Sequence, residues 1–466
     1  MERIHAIHNP YSGQIERSVR LADALERDAM IARAAEASRR TRRVPAYKRA
    51  ALLRALAAAL EADREPFAQA ICREAGKPLA LARGEVQRGV ATLSGSADEA
   101  LRLGGDTLPL DTAAAGEGRI GITRRFALGV IAGISPFNFP LNLGLHKVGP
   151  ALASGNALIW KPPLQAPGAA LLFAQHYERI AAEHGFPEHA LQTLVCDDSV
   201  ASGLIDDERI VMVSFTGSAR VGWSLRAKAG SKRIALELGG NAAVVVAPDA
   251  DLDIAAKKCA AGGFAYAGQV CISVQRIYAH RSIYAAFRDK FLAATDALAV
   301  GDPADESVVV GPMVSAKEAD RVWSWIREAR DSGARALRLG ERDGLLIAPS
   351  VFEEPDASLK IVAQEVFGPV VCLFAYDDWD EALARVNDSV YGLQAGLFTR
   401  DMPRILAAFE AIEAGAVIVG DVPTLRIDTM PYGGEKRSGL GREGMAYAVR
   451  EMTEERLLAL PPADPG

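Results

Sequence analysis

Apolar residues in the first quarter of the chain recur at helical spacing. The stretch YKRAALLRALAAALEADREPFAQAICREAGKPL (47–79) is dense in Ala, Leu, Arg and Glu, the strong helix formers, and it stops at Gly76 with Pro78 beyond. This pattern predicts that the first quarter is helical. From about residue 120 the pattern changes to short apolar runs alternating with amphipathic stretches. RRFALGVIAGISP predicts a strand and turn, LNLGLHKVGPALASG a helix closed by glycine, NALIWKPP a strand stopped by prolines, PGAALLFAQHYERIAAEHG a helix and ALQTLVC a strand. RIVMVSFTG and SARVGWSLRAKAG repeat the strand–helix pair. After Gly240 the alternation resumes, with strands at NAAVVVA, VQRIYAH, VVCLFAY and GAVIVG and helices between them.

Strands separated by helices of this length imply βαβ units and parallel sheets, so the expected fold class is α/β. Two such units are expected, one from 1–106 with 128–239 and one from 240–445. RLLAL, near the end, is an apolar strand with no helix behind it. It predicts a β-arm, built from 107–127 and 446–466, outside both units. An arm with an apolar strand edge points to a homodimer or homotetramer.

The chain has 466 residues, enough for two or three domains at roughly 150 residues each. Hydrophobic residues make up 49%, which provides for a large core, and the net charge of −6 supplies no basic field for a nucleic acid or an anionic membrane. The sequence contains no charge-free apolar run long enough for a membrane span, and its first residues lack the zones of a secretion signal. Five scattered cysteines, none in a C-x-x-C pair, argue against a disulfide framework and a zinc site. A cytoplasmic setting without a metal is expected.

Two glycine motifs match G-x-G-x-x-G without the context of a dinucleotide fingerprint. GEGRIG (Gly116, Gly118, Gly121) follows DTAAA and runs into a strand, and GLGREG (Gly439, Gly441, Gly444) follows a polar turn near the end of the chain. Both are read as turns. FTGSARVG (215–222) is better placed, because it follows a strand and opens a helix. Its geometry suits phosphate binding at Gly217 and Ser218, and it equally suits an ordinary helix cap by Ser218.

AYAGQVCISVQR (265–276) sets Cys271 among small and β-branched residues. Taken alone, this thiol is open to three readings: packing, metal ligand or nucleophile. Three further segments stand near predicted strand ends. SPFNFP displays Asn138 on a rigid turn, LELGGNAA places Glu237 in an apolar surround that would raise its pKa, and QEVFGPV holds Glu365 and Phe367. Together they fit one chemistry, in which a thiolate attacks a carbonyl carbon, an amide holds the oxyanion, a nicotinamide accepts hydride and a carboxylate activates water.

These segments, with FTGS…G and MPYGGEKRSGLGREG, resemble the NAD(P)-dependent aldehyde dehydrogenase superfamily in order and spacing, Glu237 and Cys271 being 34 residues apart. The resemblance spans essentially the whole chain. It implies a Rossmann-like cofactor domain, a second α/β domain carrying the thiol, and an oligomerisation arm. It implies Cys271 as nucleophile, Asn138 with the Cys271 N–H as oxyanion hole, and Glu237 as general base. For NAD or NADP it implies Lys161 at the adenosine ribose, Gly217, Ser218 and Gly222 at the pyrophosphate, and Glu365 and Phe367 at the nicotinamide ribose and ring. Ile134, Phe137 and Leu238 are expected to line the cofactor cleft. Glu454, in MTEE, matches a second acid linked to proton movement.

The sequence departs from the commoner family pattern in two places. Leu164 stands where many NAD-preferring members carry Glu, which leaves NADP open. PYGG replaces the more usual PFGG, a change read as neutral. Asn138, Asn142 and His146 are spaced i, i+4, i+8, which predicts one polar helix face towards a small hydroxylated or anionic aldehyde, with Arg88 and Arg426 as anion contacts. His146 reads equally as a satisfied core histidine and Arg426 as a loop ion pair. NDSVYGLQAGLFT and GDVPTLRIDTMPYGG resemble the branch of lactaldehyde, phosphonoacetaldehyde and non-phosphorylating glyceraldehyde-3-phosphate dehydrogenases. Three rival readings are a coenzyme A-acylating dehydrogenase, disfavoured by Glu237, a catalytically silent binding or structural member of the fold, and a cysteine hydrolase, which would need a histidine paired with Cys271 where none is near in sequence.

Overall fold

Two mainly parallel sheets carry the candidate residues at and near the ends of their strands. The computed structural model describes residues 3–462; the last four residues of the expected arm, 463–466, and the first two of the chain lie outside the described residues. The first sheet runs in the order Gly439–Leu440, Arg233–Glu237, Ile210–Thr216, Val130–Ile134, Ala157–Lys161, Leu191–Thr193. Its pairings are parallel except at the short 439–440 edge. The strands VIAGI and ALIWK are buried along their whole length, as expected for a parallel sheet covered on both faces.

The second sheet runs Arg335–Arg338, Ser350–Glu353, Val370–Tyr376, Val274–His280, Ala242–Val246, Gln394–Phe398, Ala416–Val419, parallel except for its first strand. Its core is a continuous apolar cluster that includes Phe264, Phe287, Phe291, Phe352 and Val371. A third sheet of three strands joins Thr453–Leu460 to Ile120–Ala127, and Ile120–Ala127 to Thr107–Pro109. Thr453 pairs with Ala127 and Leu460 with Ile120, so RLLAL lies antiparallel on the segment that the sequence pattern pairs with it. The helix Met445–Glu451 packs on Asn142–Ser154 and Leu79–Arg102, and the arm strand begins only after it.

The helical expectation for the first quarter needs one correction. Ile4–His8 and Ile15–Arg20 form an antiparallel hairpin before the first helix, Ala24–Thr41. Asn9 makes its turn, the side-chain oxygen accepting from the N–H groups of Tyr11 and Ser12. Helices Ala46–Ala62, Arg64–Ala75 and Leu79–Arg102 follow, with Gly76 left-handed at the break. The two decoy motifs are turns: Ala114–Gly116 is a single 3-10 turn, and Gly441 and Gly444 take positive φ before the 445–451 helix. Among the described residues no helix is long and apolar enough to cross a membrane, and no group of three or more His, Cys, Asp or Glu side chains could hold a metal ion.

Candidate active site

Ligands in parallel α/β sheets gather beyond the carboxyl ends of the strands. Here the strand order places the residues singled out above side by side along one such edge. Leu238 follows the strand that ends at Glu237, Gly217 and Ser218 follow Thr216, Phe137 and Asn138 follow Ile134, and Lys161 ends its strand. The second sheet meets this edge with the amino ends of its central strands. Cys271 precedes Val274–His280, Glu365 and Phe367 precede Val370–Tyr376, and Gly240 precedes Ala242–Val246.

Specific contacts tie the two edges together. The Glu365 carboxylate accepts from the Gly240 N–H at 3.1 Å, and it occupies the space that a Cβ on Gly239 would need. Burial pushes the Glu365 carboxyl up to about 7. Phe137 and Phe367 meet edge to face with ring centroids 6.0 Å apart, and Phe367 holds a φ of 47°, a strained conformation for a bulky residue. Ser218 caps the helix Ala219–Lys228, accepting from Val221 N–H at 3.4 Å. Gly222 lets Leu238 lie directly against that helix, because any Cβ would overlap the leucine. Lys161 is buried, with its ammonium 3.3 Å from the exposed Asp198. Leu164 is packed among Ile7, Val19, Leu21 and Val195, so no carboxylate stands there.

The segment before Cys271 is held under strain. Tyr266 and Ala267 take φ of 55° and 53°, left-handed values that favour glycine. Gln269, fully buried, pins the turn: its amide donates to Pro312 O at 3.1 Å and its oxygen accepts from Val314 N–H at 2.9 Å. Asn138 donates from Nδ2 to Gln269 O at 2.9 Å, two residues before the thiol. The Asn138 carbonyl in turn accepts from Lys77, whose ammonium is buried at 2.7 Å from Glu85 and 3.3 Å above the Phe139 ring. Glu85 also accepts from the Leu141 and Asn142 N–H groups at the start of the next helix. Lys77 and Glu85 thus fix the turn that displays Asn138; their only signal in the sequence was an opposite-charge pair eight residues apart.

Cys271 opens on a cavity of about 390 Å³ lined by Arg88, Phe139, Leu143, Ile272, Arg426 and Tyr432, among others. The other four cysteines are buried. The Cys271 sulfur lies 2.9 Å from the Tyr432 hydroxyl, a contact that the Phe of the more usual PFGG has no atom to make. Gly433, the next residue, faces Glu237: a Cβ there would stand 3.0 Å from Glu237 Oε1. Thiol, amide and carboxylate are therefore neighbours in space, although they come from three separate segments of the chain.

Two expectations are corrected. The helix begins at Asn142, so Asn138 lies in the preceding turn and shares no helix face with Asn142 and His146. Asn142 and His146 are enclosed behind the cavity, not lining it, with Asn142 Nδ2 at 3.3 Å and His146 Nε2 at 2.8 Å from Asp428 Oδ1. Asp428 also accepts from Arg88 through two nitrogens at 2.7 and 3.1 Å. Burial works against this carboxylate, but hydrogen bonds from His146 and Arg88 hold it well below the usual range. The second correction concerns Glu454, which lies on the exposed arm strand 3.1 Å from Arg233. The acid beside Glu237 is Glu443, within GLGREG. It accepts from Lys147 at 2.9 Å and from Arg426 at 3.0 Å. Burial disfavours its charge, yet Lys147, His146 and Arg426 keep it ionised. Glu237 goes the other way: burial, reinforced by the negative charge of Glu443, raises its pKa well above the carboxylate range.

A thiol on a strained turn, a fixed amide, a buried carboxylate and a helix start beside a buried lysine thus lie along the meeting strand ends of the two sheets. A model of the Aldehyde dehydrogenase family matches residues 2–458. The 3-sulfolactaldehyde dehydrogenase of Priestia megaterium is 43% identical over 453 residues, 97% of this chain and 94% of the relative. Among solved structures, aldehyde dehydrogenase 21 from Physcomitrella patens in complex with the reaction product succinate superposes with a TM-score of 0.97 at 37% identity, covering 100% of this chain and 96% of that one. Glyceraldehyde-3-phosphate dehydrogenase GapN from Methanocaldococcus jannaschii DSM 2661, complexed with NADP, gives 0.95 at 34% identity, with 99% of each chain covered. The chain belongs to the aldehyde dehydrogenase family and is an oxidoreductase acting on aldehydes.

Proposed function

We propose that the protein oxidises a small anionic aldehyde to its carboxylate with NAD(P)+, through a thioester on Cys271. The observation that carries the substrate class is the cavity beside Cys271, whose lining includes two arginines, Arg88 and Arg426. Arg426 is buried, and its Nε has no hydrogen-bond partner. An unsatisfied buried donor of this kind is costly unless a ligand completes it. The sulfonate of a sulfolactaldehyde and the carboxylate of the succinate product, named for the two relatives, are groups of the right charge.

Glu365, Phe367, Phe137, Lys161 and the 219–228 helix start fit a dinucleotide, since the edge offers a ribose acceptor, an aromatic wall, a cation and outward N–H groups. Bound NAD(P)+ supplies the hydride acceptor. Cys271 thiolate adds to the carbonyl carbon, forming the C–S bond and driving the π pair onto oxygen. One Asn138 N–H is engaged by Gln269, and the other is free to hold that oxyanion with the Cys271 N–H. Loss of hydride leaves a thioester. Glu237 then takes a proton from water, the hydroxide attacks the acyl carbon, and the sulfur leaves as thiolate.

The substrate reading is tested by following reduced-cofactor formation over sulfo-, phospho- and carboxy-aldehydes and propanal. Anionic aldehydes should have the higher kcat/KM. Arg88→Gln should narrow their advantage over propanal by about 10-fold or more. A wild-type preference for propanal contradicts this reading.

Glu237 acts as a base only when ionised, so deacylation should rise with pH through its raised pKa. Glu443→Gln removes a neighbouring negative charge and lowers that pKa. The acid limb of the kcat profile should therefore move to lower pH, and a limb that stays or moves upward contradicts the arrangement.

We also propose that the arm joins copies of the chain. Strand 453–460 has a free edge among the described residues, and Leu457, Leu458, Ile120 and Ile122 are exposed on it and its neighbour. Sedimentation velocity should show a dimer or tetramer, and a stable monomer at micromolar concentration would remove this proposal.

A further inference from the structure

The hydroxyl of Tyr432 is the one atom that distinguishes PYGG from the more usual PFGG, and it ends on the nucleophile. Tyr432 is buried, and its hydroxyl lies 2.9 Å from Cys271 Sγ. The ring is held from behind. The Arg426 guanidinium carbon sits 3.6 Å from its centroid, a close cation–π stack in a water-poor site. Arg426 is fixed by Glu443 at 3.0 Å, Glu443 by Lys147 at 2.9 Å, and Lys147 by Thr216 at 2.7 Å. A chain of buried polar groups thus runs from the end of a cofactor-domain strand to the sulfur.

We propose that Tyr432 is a further catalytic residue: its hydroxyl donates to the Cys271 sulfur and favours the thiolate over the thiol, so that the attacking anion forms more readily at the mouth of the cavity. This inference rests on the reading of Cys271 as nucleophile. An ordinary tyrosine hydroxyl is a donor to a thiolate at neutral pH, and the stacked cation draws electron density from the ring and strengthens that donor. The need for such a donor is plain from the surroundings. Burial holds the Cys271 thiol up at about 11 even with the Tyr432 hydrogen bond and Arg426 working to lower it, and Glu365 and Glu237 add to the rise. Arg88 lines the same cavity. Tyr432 supplies the one direct hydrogen bond to the sulfur among the described residues.

The test is the pH profile of Cys271 alkylation by iodoacetamide in the intact enzyme without aldehyde. The other four cysteines are buried, and Cys271→Ala gives the blank. Tyr432→Phe keeps the ring and restores the residue usual in the family, so the fold is retained; unchanged NADP+ binding by tryptophan fluorescence verifies it. The midpoint of the profile should rise by about one pH unit, giving roughly 10-fold slower alkylation at neutral pH, with the two proteins converging at high pH. Superimposable profiles, or slowing by the same factor at every pH, would overturn the proposal. Neither result depends on turnover, so failure here is distinct from a wild-type enzyme that fails to oxidise aldehydes.

Discussion

Cys271→Ala is expected to lower aldehyde oxidation by at least about 10⁴-fold while leaving the fold and cofactor binding intact. The size of the effect follows from the number of steps that pass through the sulfur. On the proposed route it forms the bond that turns a planar carbonyl into a hydride donor, and it carries the acyl group until water arrives. No other thiol can stand in, because Cys271 is the only cysteine of the five that is not buried. The fold should not suffer, because Cys271 sits at the margin of the small cluster of Ile272, Leu393 and Tyr432, outside the main cores. Steady-state assays with both cofactors, alongside thermal unfolding, check this. Retention of even a tenth of wild-type activity would show that the sulfur is not in the reaction.

Glu237→Gln should give the second largest loss, about 10²–10⁴ in steady-state rate, but with a different signature. Acylation needs only the thiolate and the oxyanion donors, so it should survive. Hydrolysis needs a base, and glutamine is none. The first turnover should then release a burst of reduced cofactor equal to the number of active sites, followed by a slow phase. The side chain is well suited to this isolation. One of its oxygens is buried without a partner, so replacing it by an amide disturbs no established hydrogen bond at that atom. Stopped-flow absorbance reads both phases. A uniform slowing with no burst would place Glu237 in acylation instead.

Much of this was legible in the sequence, for identifiable reasons. The parallel strands are buried on both faces and therefore read as unbroken apolar runs, as in VIAGI and ALIWK. The arm strand was visible because RLLAL has no helix after it. The hairpin at 4–20 was missed, since its strands are short and mostly exposed, with only Ile7 and Val19 buried; the turn residues Asn9, Pro10 and Gly13 were its one clear signal. At the site, Cys271, Asn138 and Glu237 each had an ordinary reading taken alone, and they stood out because their segments together resemble the family in order and spacing.

The errors at the site share a cause. Asn142 and His146 were placed by helical spacing, which assigns a face but not what that face meets; Asp428, from a loop 286 and 282 residues away, meets it. Glu443 was hidden inside a glycine motif set aside as a turn. Its importance comes from Lys147 and Arg426, which approach from two other segments. The Tyr432 hydroxyl was passed over for the same reason, because a tyrosine next to glycines shows nothing of its partner 161 residues earlier in the chain. Local pattern reveals what a segment is; pairwise chemistry between segments needs the fold.

The most direct test is rapid-quench mass spectrometry of the Glu237→Gln protein after mixing with aldehyde and NAD(P)+. The peptide containing Cys271 should gain the mass of one acyl group, in an amount equal to the burst of reduced cofactor. Finding Cys271 unmodified while reduced cofactor accumulates would contradict a covalent route through that sulfur.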